Sequence, residues 1–508
     1  MEAWLRRYGM QFAAIVSVAV VWYTWGALKP LPIVHDESAY VLQAEIFSHL
    51  HWTAPSPIIP EFFEQPYVLV VPKVASKYPP GHSLLLALGA LLKFAPLVPL
   101  LLTGVTAALI VAIMTRLTNP WIALMSWVIW LTTPLTLRFQ PGYFSEISTT
   151  ALILASWWCL LEWRRLHERR WLFLLALALV WCAITRPLTA LAFAIPIAVV
   201  VVQEARKRKL WRDFAVAALI GVAVLGIIPL WNVRTTGNVL VTPLGEYTRD
   251  YYPFDKPGFT PDTTPPRRAL SPVQRSLYED FYAIHQRQRL RDLPRTFIQR
   301  LIAIGRDLWG GTHTVLLPFV VAGLVLAGPG RRELRWAAIG PLLLFLFYLT
   351  YASDAPWTLY YLEIVPVMSA LAAVALWETL LFVAPGVGTL DAERRPMLGS
   401  TIIVAVFAVF AFPAVVYWRA QHRQMASLHT AFAAAMAELP SSKSVVFLKY
   451  SDRPHHLALV NNFADPAKAP TWVVHDLGER NRELLDAAQD RTAYVFDESN
   501  GELKALKR

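Results

Sequence analysis

Residues 11–28, QFAAIVSVAVVWYTWGAL, followed after a short gap by His35-Asp36-Glu37, decide how this chain is read. The run is close to the length of about 20 apolar residues that an α-helix needs to cross a bilayer. Three ionisable side chains in a row stand just beyond its end. A carboxylate at bilayer depth is costly, so carboxylates beside a span gather at the interface or in a wet cavity and mark a functional site. Arg6 and Arg7 precede the run and no small-residue cleavage site follows it, so it reads as a retained span with a cytoplasmic N-terminus.

Working outward, similar runs recur near 97–115, 120–137, 144–161, 171–185, 188–202, 213–231, 313–328, 336–351, 358–383 and 399–418, which makes about eleven crossings. The 508 residues are 56% hydrophobic and 16% charged. That composition belongs to polytopic membrane proteins and excludes a soluble enzyme. Arg6-Arg7, Arg116, Arg164-Arg165 with Arg169-Arg170, Arg206 to Lys209, Arg331-Arg332 with Arg335, and Arg394-Arg395 then all fall on one side, as the positive-inside rule requires. The count holds if the short stretch Ser83 to Leu92 lies in the interface or re-enters it. The net charge of +11 therefore encodes topology and carries no nucleic-acid signal.

The outer side receives the segments 29–81 and 232–312 and everything after Tyr417. Within 232–312, Asp262-Thr-Thr-Pro-Pro-Arg reads as extended chain, with helical material following around Val273 to Arg291. From Gln421 the pattern changes to a helix-like run up to Leu439, strands at Ser444 to Leu448, Thr471 to Val474 and Thr492 to Phe496, and a helix at Glu479 to Ala488. The expected fold is an α-helical polytopic membrane protein with in-plane interfacial helices and a small C-terminal α/β extracytoplasmic domain. It divides into a transmembrane unit, 1–420, and an appendage, 421–508, that is near the lower size limit for a core of its own.

Several features argue against other chemistry. Cys159 and Cys182 lie inside apolar runs and read as buried core thiols. His455-His456 are adjacent, so they point in different directions, and no third ligand has metal-site spacing. Trp121, Trp127, Trp130, Trp157, Trp158 and Trp181 fall in or beside spans, as interfacial belts and packing residues do. No inverted repeat of the carrier kind is visible.

The outer ends of the spans carry His35, Asp36, Glu37, Lys77, His82, Arg138, Glu146, Arg186, Arg234, Asp354 and Glu363, and the span interiors carry almost no charge. Asp36, Tyr40, Gln43 and Phe47 recur at helical spacing, which predicts an in-plane helix that starts at the cluster with Asp36 in its first turn. An ionised Asp there can accept a proton from a nucleophile; its structural alternative is helix capping. A departing lipid phosphate needs cationic donors, which Lys77, Arg186 and Arg234 are placed to supply, the alternative being side chains that snorkel to headgroups. Glu146 stands at the start of a span beside Arg138 and Tyr143, where it serves either the helix dipole or the site.

Four motifs in order carry a resemblance: Asp36-Glu37 after the first span, Lys77-Tyr78-Pro79-Pro80-Gly81-His82, Thr185-Arg186-Pro187 between two spans, and Asn232 with Thr236-Gly237-Asn238. Together they are similar to the GT-C glycosyltransferases, nearest to the dolichyl-phosphate-mannose protein mannosyltransferases and the lipid A aminoarabinose transferases, over about the first 250 residues. The resemblance implies an inverting transferase of the bacterial inner membrane that moves a sugar from a polyprenyl-phosphate carrier to a lipid, glycan or protein acceptor on the outer face. It implies Asp36 as catalytic base and Glu37 as its acidic partner. Lys77 matches the lysine that contacts the carrier phosphate, although Lys-Tyr-Pro-Pro-Gly stands here in place of Lys-Pro-Pro-Leu. His82, Arg138, Glu146, Arg186, Asn232, Arg234 and Tyr247 complete the expected substrate-binding set. Glu37 and Glu146 orient the acceptor or sugar, or bind a divalent cation. The rival readings are a transporter or flippase of lipid-linked sugars, with essential charges near mid-span, and a non-catalytic envelope assembly subunit that tolerates loss of Asp36.

Overall fold

Among the described residues, each apolar run identified above is largely helical. The computed structural model describes residues 2–506 apart from 261, 327–331, 384–393, 440–442, 452–457, 461–463 and 466. His455-His456 lie outside the described residues.

The chain opens with α1 (Glu2–Trp25), passes through α2 (His35–Ser48) and a three-stranded sheet, and returns to apolar helix. That sheet has β3 (Lys73–Ser76) at its centre, with β1 (Ala54–Pro55) and β2 (Val68–Leu69) antiparallel on either side. Next come α3 (Gly81–Leu91), α4 (Leu97–Leu117), α5 (Pro120–Thr132), α6 (Pro134–Phe139), α7 (Ser145–Leu166), α8 (Arg169–Ala183), α9 (Pro187–Arg208), α10 (Trp211–Leu225) and α11 (Ile227–Thr236). The segment 232–312 holds α12 (Pro243–Asp250), α13 (Pro272–Gln286) and α14 (Leu293–Trp309). The bundle closes with α15 (Leu317–Leu326), α16 (Arg332–Tyr348), a 3-10 turn (Thr358–Ile364) leading into α17 (Val365–Val383), and α18 (Arg394–Met425).

Among the described residues, six helices are long and apolar enough to cross a membrane: Glu2–Trp25, Leu97–Leu117, Pro187–Arg208, Trp211–Thr236, Thr358–Phe382 and Met397–Met425. Other runs are helical but shorter or interrupted. The run 120–137 breaks at Thr133, where Pro134 cannot continue the preceding helix, so α5 and α6 are separate. With 11 residues, α3 is about 16 Å long at the helical rise, too short to span.

The appendage adds α19 (Ser427–Ala437), β4 (Ser444–Lys449), β5 (Thr471–His475), α20 (Asn481–Ala487), β6 (Thr492–Asp497) and β7 (Glu502–Ala505). The sheet order is β5-β4-β6-β7, with β4 parallel to both neighbours and β7 antiparallel to β6. One face of this sheet is not its own core. Val445, Phe447, Val474 and Ala493 share a buried cluster with Phe62, Phe63, Tyr67 and Tyr247 of the segments 29–81 and 232–312. The Phe62 and Phe447 rings meet edge to face at 6.2 Å, and His475 Nε2 is hydrogen-bonded to the Glu64 carbonyl.

Candidate functional site

The site begins at the N-terminus of α2, where the chain leaves the first span. Glu37, at the third helical position, turns back: Oε2 accepts from the N–H groups of Ile33 at 2.9 Å and Val34 at 3.2 Å. Its Oε1 accepts from the Tyr143 N–H at 2.9 Å, which ties the helix to the loop before α7. Glu37 therefore performs the capping that the sequence reading held out as the alternative role of Asp36. Burial raises its pKa, against the pull of those three N–H groups. With both oxygens committed to backbone, Glu37 holds Asp36 in place and has little to offer a cation.

Asp36 keeps only a contact with its own backbone N–H and is otherwise directed to side chains. Its Oδ1 accepts a hydrogen bond from the Tyr78 hydroxyl at 2.5 Å. Burial raises its pKa above the ordinary 3.8, opposed by Tyr78 and by the positive charges of Lys77 and Arg186. Tyr78 stacks on Tyr40 at 4.5 Å and meets Tyr67 edge-on at 6.0 Å, so aromatic faces flank the carboxylate.

Lys77 follows β3 directly, and its backbone N–H donates to the Tyr67 carbonyl at 2.9 Å. The side chain is 5% exposed, with Nζ 4.0 Å from the Tyr67 ring centre, 5.3 Å from that of Tyr78 and 5.2 Å from that of Tyr247. Three phenol faces stabilise the cation, as a desolvated cation–π cage does. Its counter-charge is Asp255 Oδ2 at 3.6 Å, beyond hydrogen-bond length. Asp255 is anchored by the Tyr351 hydroxyl at 2.7 Å and lies 3.6 Å from His285 Nε2. Burial would raise the Asp255 pKa, but Lys77, His285 and Tyr351 together hold it down at about 2.

The second cation is held differently. Gly81 donates its N–H to the Ile184 carbonyl at 2.9 Å, and a Cβ on Gly81 would lie 2.8 Å from that oxygen. Only glycine permits this approach, which joins the Tyr-Pro-Pro-Gly-His motif to Thr185-Arg186-Pro187. Trp181 Nε1 secures the same contact by donating to the Gly81 carbonyl at 3.0 Å. Arg186 then reaches Glu146 at 2.7 Å, Glu363 at 3.7 Å and Ser145 Oγ at 3.1 Å, and donates to the Tyr348 hydroxyl. Both carboxylates are buried, so Arg186 sits in a closed ionic knot.

Other expected site residues fall nearer or farther. Tyr247 walls the Lys77 cage, and its phenolic oxygen accepts from the Tyr67 N–H at 2.9 Å. His82 is occupied at both nitrogens, by Ser148 Oγ and the Tyr143 carbonyl, each at 2.8 Å. Burial lowers its pKa to about 4, so at neutral pH it is an uncharged link between α3 and α7. Asn232 Nδ2 donates to the Val239 carbonyl at 2.9 Å and closes its own loop. Arg234 is exposed, and Lys73 Nζ lies 3.4 Å from its carbonyl. Arg138 is drawn to α14, 3.2 Å from Asp307 Oδ2. The structure does not bring Arg138, Arg234 or Asn232 into contact with Asp36. Among the described residues no three His, Cys, Asp or Glu side chains converge as a metal site, and Glu146, like Glu37, is already committed.

Sequence reasoning passed over Tyr78, Asp255 and Tyr351. Tyr78 carried a signal, since it intrudes between Lys77 and the Pro-Pro pair. Asp255 carried only that of an isolated acid in a basic segment.

No family model and no curated protein matches the sequence. Solved structures do. The apo structure of ArnT from Cupriavidus metallidurans matches with a TM-score of 0.55 at 15% identity, covering 96% of this chain and 93% of that one. The structure of the same protein bound to undecaprenyl phosphate matches with a TM-score of 0.54 at 16% identity, covering 97% and 90%. The protein has the fold of ArnT, in line with the fold that the motifs imply. At such identity the likeness is one of fold.

Proposed function

We propose that the protein is an inverting glycosyltransferase that moves a hexosyl or pentosyl group from a polyprenyl-phosphate carrier to an extracytoplasmic lipid, glycan or protein acceptor. The observation that carries this reading is the pairing of the Asp36 carboxylate, beside which Glu37 takes the capping contacts to backbone, with a caged Lys77 whose ion-pair partner among the described residues, Asp255, stands beyond hydrogen-bond length. The shared fold with a protein seen bound to undecaprenyl phosphate supports it.

In this mechanism Asp36 takes the proton of the acceptor hydroxyl or amine as that atom attacks the anomeric carbon. The bond from that carbon to the phosphate oxygen breaks, and its electron pair leaves with the phosphate, where Lys77 meets the growing charge. Burial lifts the proton affinity of Asp36, which suits a base that must hold the proton once taken. Tyr67, Tyr78 and Tyr247 offer apolar faces to the sugar and carrier, and Glu37 fixes the base. Arg186 with Glu146 positions α7 and α9 around the site. Residues 1–420 form the transferase unit in the bacterial inner membrane, N-terminus cytoplasmic, with the appendage 421–508 outside.

The test is Asp36→Asn in a deletion strain carrying the gene on a plasmid, read by mass spectrometry of the cell-envelope glycans. Loss of the transferred sugar with the protein still present in membranes is expected, at a cost of about 10²–10⁴ in rate. Unchanged transfer would remove the proposal.

A further inference from the structure

The glycosyl transfer proposed above changes the charge of its carrier. The donor is a phosphodiester with one negative charge. Once the bond to the anomeric carbon breaks, the carrier leaves as a phosphomonoester, whose second pKa near 6 gives it close to two charges at neutral pH. A site built only to stabilise phosphate would hold this product more tightly than the donor and release it slowly.

The described site is not built that way. Lys77 and Arg186 are its cations, and each already faces carboxylate. Arg186 lies between Glu146 and Glu363, both within ion-pair distance. Lys77 faces Asp255, and the 3.6 Å separation leaves its ammonium protons directed to no carboxylate oxygen at bonding length. Asp255 cannot swing away to make room, because Tyr351 holds one oxygen at 2.7 Å. The turn that presents Tyr351 is fixed in its own right by buried Arg300, which donates to the Tyr351 carbonyl at 2.6 Å and to the Tyr348 carbonyl. Any phosphate oxygen that reaches Lys77 must therefore share the cation with a fixed negative charge.

We propose that Asp255 is a specificity-determining residue that sets the preference of the Lys77 site for the phosphodiester donor over the phosphomonoester product. The anion stays beside Lys77 through the whole cycle and repels the dianion more than the monoanion. It acts through space and through Lys77, and takes no proton. The inference rests on the transferase reading, since it needs Lys77 to meet the carrier phosphate.

The experiment uses the full-length protein in lipid nanodiscs and two probes, undecaprenyl phosphate as monoester and its methyl ester as diester, with dissociation constants read by native mass spectrometry. The wild type is expected to bind the diester at least as tightly as the monoester. Asp255→Asn and Asp255→Ser each remove the charge and are expected to tighten monoester over diester binding by about tenfold, as one screened charge–charge interaction near a protein surface would. Asp255→Glu keeps the charge and is expected to keep the wild-type ratio. Loss of affinity for both probes in equal measure, or an unchanged ratio, overturns the proposal. So does a wild type that prefers the monoester more than about tenfold, a result that needs no variant and stands even where a substitution fails to fold. Binding of neither probe by the wild type overturns the transferase reading itself, and this inference with it.

Discussion

Lys77, buried, and Arg186, largely buried, are both cations near Asp36, yet the regions around them are built to opposite ends. Around Lys77 the neighbours are three phenol rings and one carboxylate kept at 3.6 Å. Around Arg186 they are two carboxylates, a serine and a tyrosine hydroxyl at contact, with the Tyr348 and Tyr360 rings farther off at 5.9 and 5.7 Å. Arg186 has spent its donors inside the protein, and its role is to lock α7, α9 and the 358–364 turn together. Lys77 is stabilised mainly by quadrupoles, which hold a cation without consuming its protons. A charge meant to receive a ligand is kept in the second kind of surrounding.

That contrast can be broken in four ways. Arg186→Leu strands two buried carboxylates and is expected to cost about 3–5 kcal/mol, seen as a fall in thermal midpoint and in folded yield. Adding Glu146→Gln should recover part of the loss, and a wild-type midpoint for the single variant would mean that the knot is not structural. Lys77→Met should weigh the other way, lowering transfer about 10²–10³-fold while the midpoint falls less than in Arg186→Leu, since it strands one carboxylate, Asp255, that Tyr351 still holds. A midpoint that collapses with Lys77→Met would make it a structural cation like Arg186. The pH profile sharpens the picture further. Asp255 is held down at about 2, so it stays ionised across the neutral range, whereas burial raises Asp36 above 3.8. Single-turnover transfer should therefore fall on the acid side as Asp36 gains its proton, with an apparent pKa above 3.8, and Asp255→Asn should leave that limb where it is. The smallest effect is expected from Tyr351→Phe, which frees one Asp255 oxygen and should cost about 1 kcal/mol of stability by thermal or denaturant unfolding.

What could be read without coordinates was which stretches of chain fold into apolar helix. Hydropathy gave each apolar run as a helix, and the motif order brought Asp36, Lys77 and Arg186 to one end of the bundle. The identity of the cap was not readable. Asp36 and Glu37 are adjacent acids at one helix start, and only the reach of Glu37 to the backbone of Ile33, Val34 and Tyr143 separates base from cap. Position around the bundle was not readable either. Arg138 shares a depth with Arg186, but α6 turns it to Asp307 on α14. Asp255 lies 178 residues from Lys77 in a segment without periodicity, so no local signal tied the two. The two-residue strands β1 and β2 were invisible for the same reason: their pairing with β3 is set by the tertiary packing of the segments 29–81 and 232–312, not by β-propensity over so short a stretch.

The appendage looked separable because its composition changes at Gln421. Its sheet instead completes a hydrophobic layer whose other half is the segment that bears Lys77. A chain cut at that boundary would leave Phe62, Phe63 and Tyr67 facing water, and the strand leading to the lysine would lose its footing. Replacing this piece would thus also disturb the packing behind Tyr67 and Lys77, so the appendage and the segment 54–77 are bound to change together.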